Sequence, residues 1–164
     1  MHNPSLILRA ITTMLRNPNT LLLASLLALA LSACNKSETP AAAGDELVIK
    51  IGAAAPLTGP QAHIGKDNEN GTRMAIEDAN ARGVMIGGRK ARFELLSEDD
   101  QTDPKTATIV AQKLVDAKVN GVIGHLNSGT TIPASRIYND NGIAQISPSA
   151  TAVKYTAQGY KNAF

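Results

Sequence analysis

The sequence predicts an α/β domain, a parallel β-sheet with helices on both faces. Three observations lead there. Short apolar segments alternate with stretches whose apolar residues recur at helical spacing, the order that builds parallel strands joined by crossover helices. Hydrophobic residues make up 43% of the 164, enough for a real core, while aromatic residues make up 3% and tryptophan is absent. That composition favours close helix-on-sheet packing and leaves no aromatic platform for nucleic-acid bases. Glycine and small hydroxyl residues gather where the apolar segments end, which is where sheets of this kind bind ligands.

The first 33 residues belong to no fold. "TLLLASLLALALSAC" is an uncharged run from Leu21, preceded by Arg9 and Arg16. It is short for a bilayer span and has the layout of a secretory signal; a buried core helix is the alternative. Its end, "LSAC", resembles the bacterial lipobox, which implies cleavage before Cys34 and a lipid on its thiol. Cys34 is the only cysteine in the chain. Met14 would open a tidier signal than Met1. Asn35 after the cysteine implies, by resemblance to enterobacterial sorting, an outer-membrane destination. Residues 34–46 then read as the lipidated cysteine and a flexible polar tether. With Arg9 and Arg16 set aside, fourteen basic and fourteen acidic side chains remain. No net positive charge is left for nucleic-acid phosphates.

The folded part begins at Leu47. Leu47, Ile49 and Ile51 alternate with Val48 and Lys50, giving a first strand that ends at the turn Thr58-Gly59-Pro60. Residues 65–82 have a helical pattern in which Gly71, Ala75 and Ala79 form a small-residue stripe suited to lying close on a sheet, with Gly83 as the cap. Gly87-Gly88 makes a turn into a second strand through Phe93 and Leu95. Asp103 as N-cap and Pro104 at the first position open a second helix, with Ala107, Val110, Ala111, Leu114 and Val115 on one face. Residues 119–124 form a third strand. "TIPASRIYNDNG" is a helix that buries Ala134, Ile137 and Tyr138, and "IAQIS" is a fourth strand. At the end of the chain, "KNAF" begins another.

Three strand ends carry chemistry: "PLTGPQAHIG", "GHLNSGTT" and "SPSAT". A serine nucleophile at Ser128 would need glycines two positions before and after it, where Leu126 and Thr130 stand, and no triad is evident. The other reading makes Ser128, Gly129 and Thr130 the opening of a helix whose free amides favour a carboxylate by up to about 2 kcal/mol. An N-cap role for Ser128 or Thr130 alone stays open. Ser149, Ala150 and Thr151 of "SPSAT" offer further hydroxyl and amide groups from a neighbouring loop, so both ends of a zwitterion could be held. No metal site is expected, since the histidines stand apart at 2, 63 and 125. No phosphate-binding glycine loop is present, so no nucleotide cofactor is expected. The acidic run at 98–100 reads as a solvated strand end rather than a metal site.

"GAAAPLTGPQAHIGKDNENGTRMAIEDANARG", "DDQTDPKTA", "VIGHLNSGTTIPAS" and "GIAQISPSATAVKYT" resemble the branched-chain amino-acid (Leu/Ile/Val) binding proteins, extracytoplasmic receptors of ABC importers with the type I periplasmic-binding fold. The resemblance covers residues 47–164. It implies that Ser128, Ser149 and Thr151 hold the ligand's amino and carboxylate groups, with Gly129 and Ala150 beside them. Ile64 stands where the family has an aromatic wall, and Thr102 and Asn127 stand where some members carry a disulfide. Family members are longer, with a second lobe that closes over the ligand, so residues 47–164 read as an incomplete N-terminal lobe. A single open lobe leaves the ligand's charges in water, and weak binding or none is expected of it. The implied partners are an amino acid, permease subunits and, through Cys34, a membrane; no enzyme activity is implied. A sensory or regulatory domain of the same fold, reading amides or other small acids, is the alternative.

Overall fold

The computed structural model describes residues 46–164. The expected signal segment, the lipidation of Cys34 and the tether up to residue 45 lie outside the described residues. Strand β1, Leu47–Ala55, starts with alternating burial and then becomes buried on both faces at Gly52 to Ala55. Helix α1, Ala62–Arg82, begins one turn earlier than the sequence suggests. The Gly59-Pro60 turn rolls directly into it: the Ala62 amide donates to Gly59 O at 3.1 Å, and the Gly65 amide to Gln61 O at 3.1 Å. Gly83 ends it in the left-handed conformation, φ 63°, as expected of a glycine C-cap.

The Gly87-Gly88 turn has positive φ at both residues, the geometry of a tight hairpin. It joins β2, Met85–Ile86, to β3, Arg89–Asp99, in an antiparallel pair. The two-residue strand β2 was not anticipated; it is too short for any periodicity to register. Beyond it the outer edge of β3 has no strand partner among the described residues. There the Asn80 side chain of α1 takes the place of one, donating from Nδ2 to Phe93 O at 2.9 Å and accepting the Phe93 amide on Oδ1 at 2.8 Å.

Helix α2, Pro104–Asp116, is capped as predicted, with the Asp103 carboxylate accepting the Thr106 amide at 2.6 Å. Strand β4, Gly121–Gly124, helix α3, Ser128–Asp140, and strand β5, Ala144–Ile146, complete the regular elements, followed by a 3-10 turn at Thr156–Gln158. The chain's last residues do start to pair, as expected of "KNAF": Ala163 lies parallel to Gln145, with the Phe164 amide donating to Gln145 O at 2.9 Å.

The sheet has the order β2-β3-β1-β4-β5, and all neighbours except β2 and β3 are parallel. Its two faces differ in cover. Ala54, Leu96 and Val122 join Val110, Ala111 and Leu114 of α2 and Ala134 and Tyr138 of α3 in one core. On the opposite pleat Ile51, Phe93 and Ile123 face α1 across an open apolar groove of about 540 Å³. The expectation that the Gly71-Ala75-Ala79 stripe packs tightly on the sheet is therefore corrected. These residues line the groove, Gly71 and Ala75 are exposed, and a side-chain carbon added at Gly71 would touch nothing. Close approach is made instead at Gly65, the one buried residue of α1, which rests on the Pro56 carbonyl.

Candidate functional site

Parallel strands deliver their carboxyl ends to one edge of the sheet, and three loops meet there: residues 56–61 after β1, 125–127 after β4 and 147–152 after β5. The first is held by Asp99 at the end of β3. Its carboxylate accepts the Leu57 amide at 2.8 Å, the Gln101 amide at 2.9 Å and the Thr58 hydroxyl. Partial burial works against the charged form, but these hydrogen bonds outweigh it and hold the Asp99 carboxyl below its ordinary value. Asn127 Nδ2 donates to Gln61 Oε1 at 2.9 Å and links the first loop to the second.

The second and third loops are joined by hydroxyls. Ser147 Oγ donates to His125 O at 2.7 Å, and Ser149 Oγ donates to Leu126 O at 2.6 Å. Ser128 Oγ accepts the Ala152 amide at 3.2 Å. Each hydroxyl has one proton and two lone pairs, so these bonds decide what remains. Ser128 accepts the Ala152 N–H and keeps its own proton to donate. Ser149 has spent its proton and can only accept. The Ala150 amide is already given to Ser147 Oγ at 3.0 Å, so this residue has no free donor for a ligand.

Helix α3 starts at this junction. Asn127, not Ser128 or Thr130, is its N-cap residue, and no side chain caps it. The Thr130 and Thr131 amides donate to Asn127 O, while the Ser128 and Gly129 amides have no acceptor among the described residues. The simple capping role for the Ser128 and Thr130 hydroxyls is thus set aside: one bonds Ala152, the other Asn127 O at 2.9 Å.

Five of the six predicted ligand residues lie at this junction, Ser128 and Gly129 in the first turn of α3 and Ser149, Ala150 and Thr151 on the 147–152 loop, with Gly129, Ser149 and Thr151 exposed. Ile64 stands apart, in the first turn of α1 and 47% exposed; the Gln61 to Asn127 bond links the turn before it to the residue before Ser128.

Beneath the loops lies a group that sequence reasoning missed. His125 is fully buried, with Nδ1 2.7 Å from Asp100 Oδ2 and Nε2 3.2 Å from Tyr138 OH. Both ring nitrogens are thereby occupied and neither reaches Ser128, which removes the serine-nucleophile reading. The acidic run at 98–100 is not the solvated strand end it resembles. Asp100 is fully buried, Asp99 clamps a loop, and Glu98 pairs with Lys113 at 2.7 Å. Burial, and after it the negative charges of Asp100 and Glu98, push the Tyr138 phenol far above its ordinary range, so it keeps its proton. Among the described residues no three His, Cys, Asp or Glu side chains cluster as metal ligands.

Known proteins resemble the chain in sequence and fold along most of its described length. The sequence profile of the periplasmic binding protein family matches residues 48–164. The leucine-, isoleucine-, valine-, threonine- and alanine-binding protein of Pseudomonas aeruginosa is 46% identical over 116 residues, which cover 71% of this chain and 30% of that protein. The Leu/Ile/Val-binding protein of Escherichia coli is 42% identical over 113 residues, covering 69% of this chain and again 30% of the relative. Among solved structures, the branched-chain amino acid transporter substrate binding protein of Streptococcus pneumoniae in complex with isoleucine superposes with a TM-score of 0.63 at 32% identity, covering 70% of this chain and 32% of that one. The match therefore spans about a third of the length of these relatives.

Proposed function

The chain belongs to the periplasmic binding protein family, whose profile matches residues 48–164, and from that premise we propose that it forms one wall of a binding site for a branched-chain or other aliphatic amino acid. The observation that carries this reading is the division of labour between the joined loops. Ser128 keeps a proton to donate and sits with the Ser128 and Gly129 amides at the start of α3, a setting for a carboxylate. Ser149 keeps only lone pairs, a setting for an ammonium group. Thr151 lies on the same loop and adds a hydroxyl, and Ile64 offers an aliphatic surface to the side chain. The relatives at 46% and 42% identity are binding proteins for such amino acids by name.

The role is non-catalytic: capture of the amino acid outside the cytoplasm and its delivery to the permease of an ABC importer, with the chain held to the membrane through Cys34. Titration of the isotope-labelled chain with L-leucine, followed by NMR, tests it. The amides of Ser128, Gly129 and residues 149–152 shift with millimolar affinity, and 4-methylpentanoate, which lacks the amino group, perturbs the Ser128 and Gly129 amides more than the 149–152 loop. Leucine that moves no amide in either loop defeats the proposal.

A further inference from the structure

We propose that Asp100, His125 and Tyr138 form a buried, one-directional hydrogen-bond chain that positions the ligand loops, with His125 as the positioning residue. The proposal rests on the amino-acid-binding reading only for its consequence on affinity. All three side chains are fully buried, and they come from three different places: the end of β3, the end of β4 and the middle of α3. Three of the parts that surround the site are therefore tied at one imidazole. The backbone of the same residue ties a fourth part and holds α3 a second time: His125 O accepts the Ser147 hydroxyl of the 147–152 loop at 2.7 Å and the Thr131 hydroxyl of α3, shared with Asn127 O, at 2.9 Å. Leu126 and Asn127, which follow it directly, carry the bonds to Ser149 and Gln61.

The direction of the chain follows from satisfying every buried group. The Tyr138 hydroxyl has one side-chain partner, His125 Nε2. If Nε2 carried a proton, the phenol would be the acceptor and its own buried proton would be left without one. The arrangement that leaves nothing unpaired has Tyr138 donating to a bare Nε2 and Nδ1–H donating to Asp100. The other Asp100 oxygen accepts the Thr102 amide at 3.0 Å. The imidazole is thereby fixed with Nδ1 as donor and Nε2 as acceptor. The ionisable groups around it are Asp100 and Tyr138, with Glu98 and Tyr155 acting on Tyr138. His125 touches no ligand in this scheme. Asp100 and Tyr138 fix the ring, the ring fixes the backbone at 125, and that backbone sets the spacing between Ser128 and Ser149.

Nitrogen-15 NMR of the imidazole in the unmodified chain provides the first test and needs no ligand. The expected result is a protonated Nδ1 and a bare Nε2; a proton on Nε2 overturns the proposal. The second test is Tyr138→Phe, which deletes the donor to Nε2 while keeping the ring. Exchange of the Ala152 amide, which is bonded to Ser128, should accelerate roughly tenfold relative to core amides of α2, about what losing one buried hydrogen bond produces. Leucine affinity should weaken by a similar factor. Uniform acceleration of all amides would show general destabilisation instead and defeat the positioning role, as would an unchanged Ala152 rate. If the unmodified chain shows no leucine response, the amino-acid reading fails, while the tautomer and exchange results still decide the hydrogen-bond chain.

Discussion

Gly65 and Gly71 occupy the same helix and have opposite prospects. An alanine at 65 would drive its Cβ into the Pro56 carbonyl, backbone that has little room to yield, and should destabilise the fold by about 1–3 kcal/mol in urea titration. An alanine at 71 meets nothing and removes a glycine from an exposed helix interior, so the same titration should show a gain of about 0.5–1 kcal/mol. Asp99 carries a pH prediction. Its folded carboxyl titrates below the ordinary 3.8, so its contribution is complete above that value and is lost as pH falls through the lower folded one. On acid titration the Leu57 and Gln101 amides should therefore move together at a pH below 3.8, and Asp99→Asn should abolish that step. That Ser128, Gly129, Ser149 and Thr151 stand at the carboxyl edge of the sheet was legible, because each lies where an apolar segment stops and small polar residues start. Asp100 was not. Its meaning depends on an imidazole 25 positions along the chain, and a run of three acids looks the same whether the last is solvated or buried.

Helix α2 shows what an element needs in order to be read from its residues. Its start is written in Asp103 and Pro104, and its face in Ala107, Val110, Ala111 and Leu114, all of them buried. Leu114 is the largest apolar side chain of that face and packs within reach of Gly52 and Val122. Leu114→Ala should cost about 2–5 kcal/mol of unfolding free energy by denaturant titration, with the upper end expected because the strand backbone beside Gly52 cannot collapse into the space. Helix α1 was less legible. Its four-residue spacing of small residues is the same whether a helix presses on a sheet or lines a gap. Only the sheet's pleat, which turns Ile51, Phe93 and Ile123 toward it, distinguishes the two. Strand β2 was invisible because two residues hold no period.

At the scale of the molecule, β1 is the organiser: it pairs with β3 on one side and β4 on the other, so the sheet's centre is its first strand. That parallel arrangement was legible from the alternation of elements, whereas the strand order was not, because apolar segments of similar length do not announce which neighbour they take. The same topology leaves β3 near the outside with only two of its residues covered by β2, and a single amide, Asn80, doing at Phe93 what a further strand would do. Ageing of the protein in storage should be sensitive to that one group. Deamidation would keep an acceptor for the Phe93 amide but replace the donor at Phe93 O with a carboxylate, leaving that carbonyl open to pairing with another copy. Asn80→Asp should accordingly shorten the lag before light scattering rises in concentrated solution, so the shelf life of the fold depends on whether one side chain keeps its nitrogen.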